Sequence, residues 1–193
     1  MGRTPHWNEE ALLERAMHCF WWRGYHDASM ADLVDATGVN RQGIYSRFGD
    51  KHGLFLATLA CYRERVVTPA FARVEAPGAG LEAVAAYLEH QIALAASAGL
   101  PGPGCLIANT QAELAAHDAE ARRHVEAHDA RLRQGFAGTL RTSGASEAVA
   151  AQRAAVLAVA VQGLWSHSRS VSDPGPLRRI AAALVSITGT GLT

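Results

Sequence analysis

Apolar residues recur every three or four positions through most of the chain, which is the period of an amphipathic helix rather than of a strand. After Asn8, for example, Leu12, Ala16 and Phe20 fall on one side, and the pattern stops at Gly24. We therefore predict a first helix that begins after Asn8 and ends before Gly24. The same pattern predicts further helices over residues 30–37, 40–48, 51–72, 81–98, 105–116, 118–142, 146–170 and 174–188.

The composition agrees with an all-α fold. Hydrophobic residues make up 49% of the 193-residue chain and aromatic residues only 7%. Ala, Leu and Val supply most of the apolar set, which favours helices over the β-branched and aromatic mixture typical of sheets. The length suits one large helical body with a small additional domain.

Two features of the sequence indicate an intracellular protein. Residues 1–10 lack the apolar segment of a signal peptide, and the longest apolar run, Ala154–Val161, is far shorter than the roughly 20 residues that a membrane span needs. The three cysteines, Cys19, Cys61 and Cys105, include no CxxC pair, which argues against a disulfide framework and a zinc site. We therefore expect a cytoplasmic protein with no membrane contact, no metal and no cofactor.

The two short predicted helices, 30–37 and 40–48, are separated only by a turn at Gly38 and Val39, which is the spacing of a helix-turn-helix. Ser29 followed by Asp32 forms a capping-box pattern that opens the first of them. Val39, Ile44 and neighbouring apolar residues can bury together, which leaves the other face of the second helix for a major groove. The segment therefore predicts DNA binding.

Charge is a mild objection to that prediction. The chain carries 18 basic and 18 acidic residues and has no net charge, whereas DNA-binding domains usually present a basic surface. The local balance is different, because residues 39–51 contain Arg41, Arg47 and Lys51 against Asp50 alone. Lys51 is also the only lysine in the chain.

The residues of the second short helix have the chemistry to read bases. Arg41 can donate to the edge of guanine, and Gln42 can pair with adenine through two hydrogen bonds, each worth about 1–3 kcal/mol of discrimination. Gly43 would let the backbone approach the bases. The Tyr45 hydroxyl, the helix N-terminus at Ser29 and the Lys51 ammonium are candidates for phosphate contacts that set the register.

The runs 24–33 (GYHDASMADL) and 38–51 (GVNRQGIYSRFGDK) resemble the N-terminal signature of the TetR/AcrR family of bacterial regulators. This resemblance implies a homodimeric repressor with a three-helix DNA-binding domain over residues 1–50, and a connecting helix plus a ligand-binding and dimerisation domain over residues 51–193. His52 departs from the acidic residue common after the lysine, and we expect no functional consequence. The matching DNA-contact positions are Ser29, Arg41, Gln42, Gly43, Tyr45, Arg47 and Lys51.

The last two long helices are candidates for the dimer interface. The segment Ala154–Val161 is apolar nearly all round, which a surface helix of a monomer would not tolerate. Two copies of the pair would form a self-complementary four-helix face, although both helices could instead line the core of a monomer. The final helix contributes Leu177, Ile180, Ala181, Leu184, Val185 and Ile187.

Cys105 follows the Pro/Gly run 100–104 and begins a helix, where the dipole lowers the pKa of a thiol and makes it more reactive. The run 104–109 (GCLIAN) also resembles a branch of the same family in which some members sense electrophiles through a cysteine. The alternative is a small buried hydrophobe under a tight turn. Packing is the expected role of Cys19 and Cys61, which lie inside apolar stripes.

A small-molecule pocket combines aromatic faces with a few polar groups. On that basis the candidate ligand-binding residues are Tyr62, Cys105, Asn109, Phe136, Gln162 and Trp165. Ligand binding, or modification of Cys105, would then change the spacing of the two recognition helices through the connecting helix, so that they no longer fit successive major grooves about 34 Å apart.

Two other function classes remain open. His124 and His128 lie one turn apart with Glu120 a turn before, a spacing that could hold a metal ion in an enzyme or metal-binding protein, although the run is not HExxH. A solvated face is the alternative for these residues. A helical interaction module that never binds DNA is the third class, and it would have no use for the basic and polar set on the second short helix.

Overall fold

A computed structural model describes residues 7–191, which are helical with no strand among them. The all-α prediction is therefore confirmed, and each predicted helix is present with ends shifted by a few residues. The helices are α1 (Glu9–Arg23), α2 (Met30–Thr37), α3 (Arg41–Phe48), α4 (Lys51–Tyr62), α5 (Thr68–Phe71), α6 (Leu81–Ala98), α7 (Leu106–Glu113), α8 (Ala119–Thr142), α9 (Glu147–His167) and α10 (Gly175–Gly189).

Side-chain caps fix where the first four helices begin. Asn8 accepts hydrogen bonds from the Glu10 and Ala11 amides at 2.9 and 3.2 Å, and the Asn40 side chain accepts from the Gly43 amide at 2.8 Å. The capping box between Ser29 and Asp32 is complete. Because each cap satisfies an amide that has no partner within its helix, the starts of these helices follow directly from the sequence.

The helix that leaves the DNA-binding segment is not a continuous α-helix. Between α4 and α5 the chain forms a π-helical turn over Arg63–Val67, and the Thr68 amide bonds to the Arg63 carbonyl, one residue further back than in an α-helix. Pro69 follows at once, and its ring nitrogen cannot donate the next α-helical bond. Pro69 thus follows a change of winding within the connecting helix.

The interior divides into two apolar cores. The first combines α1–α4 with α7 and the start of α8, and it includes Phe20, Ile44 and Leu106. The second combines α5, α6, α9, α10 and the rest of α8 around Phe71 and Phe136. The first core therefore contains residues from both sides of position 50.

The outer faces of α9 and α10 are not covered by the chain itself. Val159 is 68% exposed and Ile187 is 70% exposed, and Val156 and Ile180 are also exposed. By length and composition alone α9 could cross a membrane, with a third of its most apolar window buried. Exposed apolar side chains that form a contiguous patch are typical of a surface that contacts a partner.

Candidate DNA-binding and ligand-binding sites

Helix α3 presents a polar face outward and an apolar residue inward. Ile44 is fully buried, while Arg41, Gln42 and Tyr45 are exposed. The Arg41 guanidinium lies over the Tyr45 ring, 5.5 Å from its centroid, so the two side chains form one exposed group. The division of faces that the sequence predicts is therefore present.

Gly43 is tightly packed on the inner side of α3. A Cβ atom at this position would lie 2.9 Å from Val39 Cγ1 and 3.3 Å from Asn40 Oδ1. The absence of a side chain thus allows α3 to pack against the turn before it. This is a reason for glycine in addition to the predicted approach to bases.

Two of the predicted DNA-contact residues already have partners within the protein. Arg47 donates two hydrogen bonds to the Glu9 carboxylate, from Nε at 2.6 Å and from Nη2 at 2.7 Å. The Lys51 ammonium lies 4.6 Å from the centroid of the Tyr25 ring and 3.4 Å from the His26 carbonyl oxygen. Both side chains remain at the surface close to α3.

Ser29 is exposed at the start of α2 and takes part in the capping box. Its hydroxyl donates to Asp32 Oδ2 at 2.6 Å, and its amide donates to the same oxygen at 2.9 Å. These bonds to Ser29 hold the pKa of Asp32 below its usual value. Ser29 therefore fixes the N-terminus of α2 through hydrogen bonds within the protein.

A cavity of about 310 Å³ lies between the two cores. Four of the six predicted ligand-binding residues line it: Tyr62, Cys105, Gln162 and Trp165. The sequence did not indicate that several other residues line it, because they come from helices far apart in the chain. Among these are His18, Trp21, Trp22, Tyr87, Leu94 and His128.

The other two predicted ligand-binding residues have different surroundings. Asn109 donates to the Pro103 carbonyl at 2.9 Å and accepts from Arg169 at 2.9 Å, so it ties the turn before α7 to the end of α9. Phe136 is fully buried in the second core, with its ring centroid 5.3 Å from that of Phe71. Neither residue lines the cavity.

The expectation of a low pKa for Cys105 is wrong. Cys105 caps α7, but it is only 6% exposed, and burial raises the pKa of its thiol by more than nearby hydrogen bonds from Ala108 and Tyr62 lower it. Desolvation of the thiolate outweighs the helix terminus here. Cys61 is buried and Cys19 is half-buried, and burial raises both pKa values as well.

The histidine pair on α8 does not assemble a metal site. Within residues 7–191, no group of three or more His, Cys, Asp or Glu side chains comes together in a way that could hold an ion. His128 is buried against the cavity, and burial lowers its pKa to about 4. Burial also lowers the pKa of His124.

Helix α7 is bonded at one end to α1 and at the other to the turn between α1 and α2. Before α7 begins, the Gly104 carbonyl accepts a hydrogen bond from Trp21 Nε1 at 2.9 Å. At its end, the Glu113 carboxylate accepts from the backbone amides of Tyr25 and His26 at 3.0 and 2.7 Å. No local sequence signal marks these bonds, since the partners are more than 80 residues apart.

The Asp118 side chain, which caps α8, adds a third link to the DNA-binding segment. Its Oδ2 lies 2.5 Å from His52 Nε2 on α4. Hydrogen bonds from the Ala121 amide and from His52 keep the pKa of Asp118 below its usual value. His52 therefore joins α4 to the start of α8, and the expectation that it has no functional consequence stays a prediction.

Comparison with known proteins fits this arrangement. The family model described as bacterial regulatory proteins, tetR family, matches residues 12–58, and the model described as transcriptional regulator LmrA/YxaF-like, C-terminal domain, matches residues 80–183. The uncharacterized HTH-type transcriptional regulator YezE of Bacillus subtilis (strain 168) is 31% identical over 140 residues, which cover 70% of each chain. The chain belongs to the TetR family.

This TetR-family chain is accordingly a DNA-binding transcriptional regulator and not an enzyme. The HTH-type transcriptional repressor ComR of Escherichia coli (strain K12) is 44% identical to it over 64 residues, which are 33% of this chain and 30% of ComR. A cysteine-substituted variant of the TetR family regulator CifR, complexed with 26-bp operator DNA, has the same fold. The TM-score is 0.78 at 24% identity, over 96% of this chain and 98% of CifR.

Proposed function

We propose that the protein is a homodimeric repressor whose α3 helices enter successive major grooves of operator DNA, and that a small molecule in the cavity releases it. The observation that carries this proposal is the exposed set Arg41, Gln42 and Tyr45 on a short helix whose opposite side, at Ile44, is fully buried. Such a helix is held rigidly and has nothing to pack against on its outer face. ComR, which is a repressor, supports repression over activation.

The predicted contact residues divide into those that contact bases and those that contact phosphates. Arg41 and Gln42 read base edges, and Gly43 allows close approach. The remaining four residues contact phosphates and set the register. Arg47 does so by exchanging its bonds to Glu9 for bonds to a phosphate, because both acceptors suit the same two donor atoms. The phosphate contacts are Ser29, Tyr45, Arg47 and Lys51.

The dimer forms through α9 and α10 in this proposal. Their outer faces expose Val156, Val159, Ile180 and Ile187 on adjacent helices. A two-fold axis through this face would bury the four side chains against the same four from a second copy, as isologous interfaces do. Because a second copy would cover the apolar face of α9, that helix does not need a membrane around it, and we infer a cytoplasmic protein. We also infer two functional parts, residues 1–50 and residues 51–193.

Release follows from the position of the cavity. Trp21 and Gly104, which are joined by a hydrogen bond, both line it, so a ligand that contacts them would act on α1 and on the turn before α7 at once. Helix α7 then transmits the change to the turn before α2 through Glu113. The connecting helix from Lys51 supplies a second route, as the sequence predicts.

Modification of Cys105 is the second candidate signal, because its thiol lines the cavity. Its raised pKa leaves little thiolate at neutral pH, so reaction with an electrophile would be slow unless the reagent first binds in the cavity. We therefore favour a bound ligand over a thiol reaction.

The test is selection of DNA by the purified protein from sheared genomic fragments of its source organism, at about physiological salt. The proposal predicts recovered fragments that share an inverted repeat with half-sites one helical turn or a multiple apart. Recovery of fragments with no common sequence would overturn it.

A mobility-shift assay with an uncharged electrophile separates ligand binding from thiol modification. It compares the wild-type protein with Cys105→Ser, and equal release of DNA from both proteins excludes the thiol.

A further inference from the structure

One side chain in the cavity wall has an unmet hydrogen-bonding need. His128 is 7% exposed, and its Nδ1 is the one buried side-chain nitrogen or oxygen in residues 7–191 without a hydrogen-bond partner. A buried polar atom left in this state costs about 1–3 kcal/mol. His128 also lines the cavity, so a molecule bound there meets its imidazole ring.

The side chains of the cavity wall also limit the charge that a ligand can carry. Its lining includes no Asp, Glu, Lys or Arg side chain in the described part of the chain. Burial lowers the pKa of His128 to about 4 and raises the pKa values of the Tyr62 hydroxyl and the Cys105 thiol, so these three groups are neutral at pH 7. A charged ligand would lose its hydration here and meet no carboxylate, ammonium or guanidinium group of the described residues.

We propose that the cavity takes an uncharged, mainly apolar small molecule that carries a hydroxyl group, and that a ring nitrogen of His128 binds that hydroxyl. A neutral imidazole has one donor and one acceptor nitrogen, and a hydroxyl both donates and accepts, so either tautomer of His128 is satisfied. The apolar body of the molecule lies against Trp21 and Trp165, and the Gln162 amide offers a second polar contact. This inference rests on the proposed role of the cavity as the effector site.

Three matched probes test the inference: 2-naphthol, naphthalene and 2-naphthoate share one ring system and differ only in the group attached. Binding to the full-length protein without DNA is followed by quenching of tryptophan fluorescence, because tryptophans line the cavity. We expect 2-naphthol to bind about tenfold more tightly than naphthalene, the difference one hydrogen bond provides, and naphthoate to bind most weakly.

Substitution locates the contact. His128→Leu replaces the imidazole with an apolar side chain and is expected to lower the affinity for 2-naphthol to that for naphthalene. His124→Leu, one turn away and not in the cavity wall, should leave both affinities unchanged. Equal affinities of the wild-type protein for 2-naphthol and naphthalene, tightest binding of naphthoate, or no binding of any probe would each overturn the inference. The probe-binding assay contains no DNA, so it does not depend on operator recognition. A failure of the proposed operator recognition would appear only in the genomic selection.

Discussion

Gly53 shows how closely one residue can constrain the geometry between α3 and α4. It lies in the first turn of α4, where its amide donates to the Asp50 carboxylate at 2.7 Å. A Cβ atom at this position would overlap the Phe48 carbonyl oxygen at the end of α3. The sequence shows a glycine three residues after a helix cap, but only the structure reveals why no side chain fits.

We predict that Gly53→Ala lowers the free energy of unfolding by about 1–3 kcal/mol, as overpacking does. The control is Gly138→Ala on α8, where an added Cβ meets no atom within 4 Å. That change should leave stability unchanged or raise it by up to about 1 kcal/mol. Urea denaturation measures both, and equal stability of the two variants would contradict the account of Gly53.

His128 predicts a dependence of stability on pH. Its pKa is about 4 in the folded protein against 6.5 for the free side chain. Between these values the unfolded chain binds a proton that the folded chain does not, so the free energy of unfolding decreases as pH falls from 6.5 to 4.

The size of this effect is roughly 3 kcal/mol by linkage. Denaturation at pH 7 and pH 4.5 should therefore show a larger loss in the wild-type protein than in His128→Leu, by about 2–3 kcal/mol. Contributions from carboxylates such as Asp118 are common to both proteins and cancel. Equal losses in the two proteins would mean that His128 titrates normally.

Residue roles were predictable where they depend on near neighbours in the chain. The caps at Asn8, Ser29 and Asn40 follow from residue type and spacing, since each acts on amides two or three positions away. The state of Cys105 was not predictable in this way. Its helix-terminal position pointed to a low pKa, but the thiol is buried in a core built from helices distant in sequence, and this burial raises its pKa.

At the scale of elements, α7 is the short helix that connects the cavity to the DNA-binding segment. It belongs to the first core, although it lies well beyond the connecting helix in the chain. Periodicity predicted that this helix exists. It did not predict its partners, because the bonds of Gly104 to α1 and of Glu113 to the turn after α1 join residues more than 80 positions apart.

We predict that Glu113→Ala frees the turn between α1 and α2, because the Tyr25 and His26 amides lose their acceptor. Amide hydrogen exchange should become faster at these two residues. Operator affinity should fall by about three- to tenfold, as a loss of about 1 kcal/mol implies.

Glu126→Ala is the matched control, since Glu126 is exposed on α8 and distant from α1 in the chain. Surface changes of this kind alter stability by less than about 0.5 kcal/mol. If exchange at Tyr25 and His26 quickens while operator affinity stays at the wild-type value, α7 is structural only and transmits nothing.

At the scale of the whole molecule, the uncovered apolar face of α9 and α10 indicates that the protein assembles with a second copy of itself. The apolar run 154–161 predicted this face from sequence, and its central residues divide as an interface helix requires. Leu157 and Ala158 are buried, while Val156 and Val159 are exposed. Because the run is apolar on all sides, the sequence could not show which of its residues face a second copy.

We predict that Val159→Glu converts the protein to a monomer, because a carboxylate would be buried at a two-fold axis without a partner. Leu94→Glu is the control, since Leu94 is also an exposed large hydrophobic residue but lies on α6 at the cavity. Sedimentation equilibrium should give one subunit for the first variant and two for the second. A dimeric Val159→Glu protein would place the interface elsewhere.

Insertion of α3 into the major groove is the central claim. It is tested most directly by comparing the affinities of the wild-type protein and of Gln42→Ala for two duplexes, the selected operator and a scrambled sequence, at one salt concentration. The account predicts that the wild type prefers the operator by at least about a thousandfold. Gln42→Ala should lose about tenfold on the operator and little on the scrambled duplex, since base contacts carry sequence information. A wild-type protein that binds both duplexes equally, or a variant that binds the operator as tightly as the wild type, would contradict it.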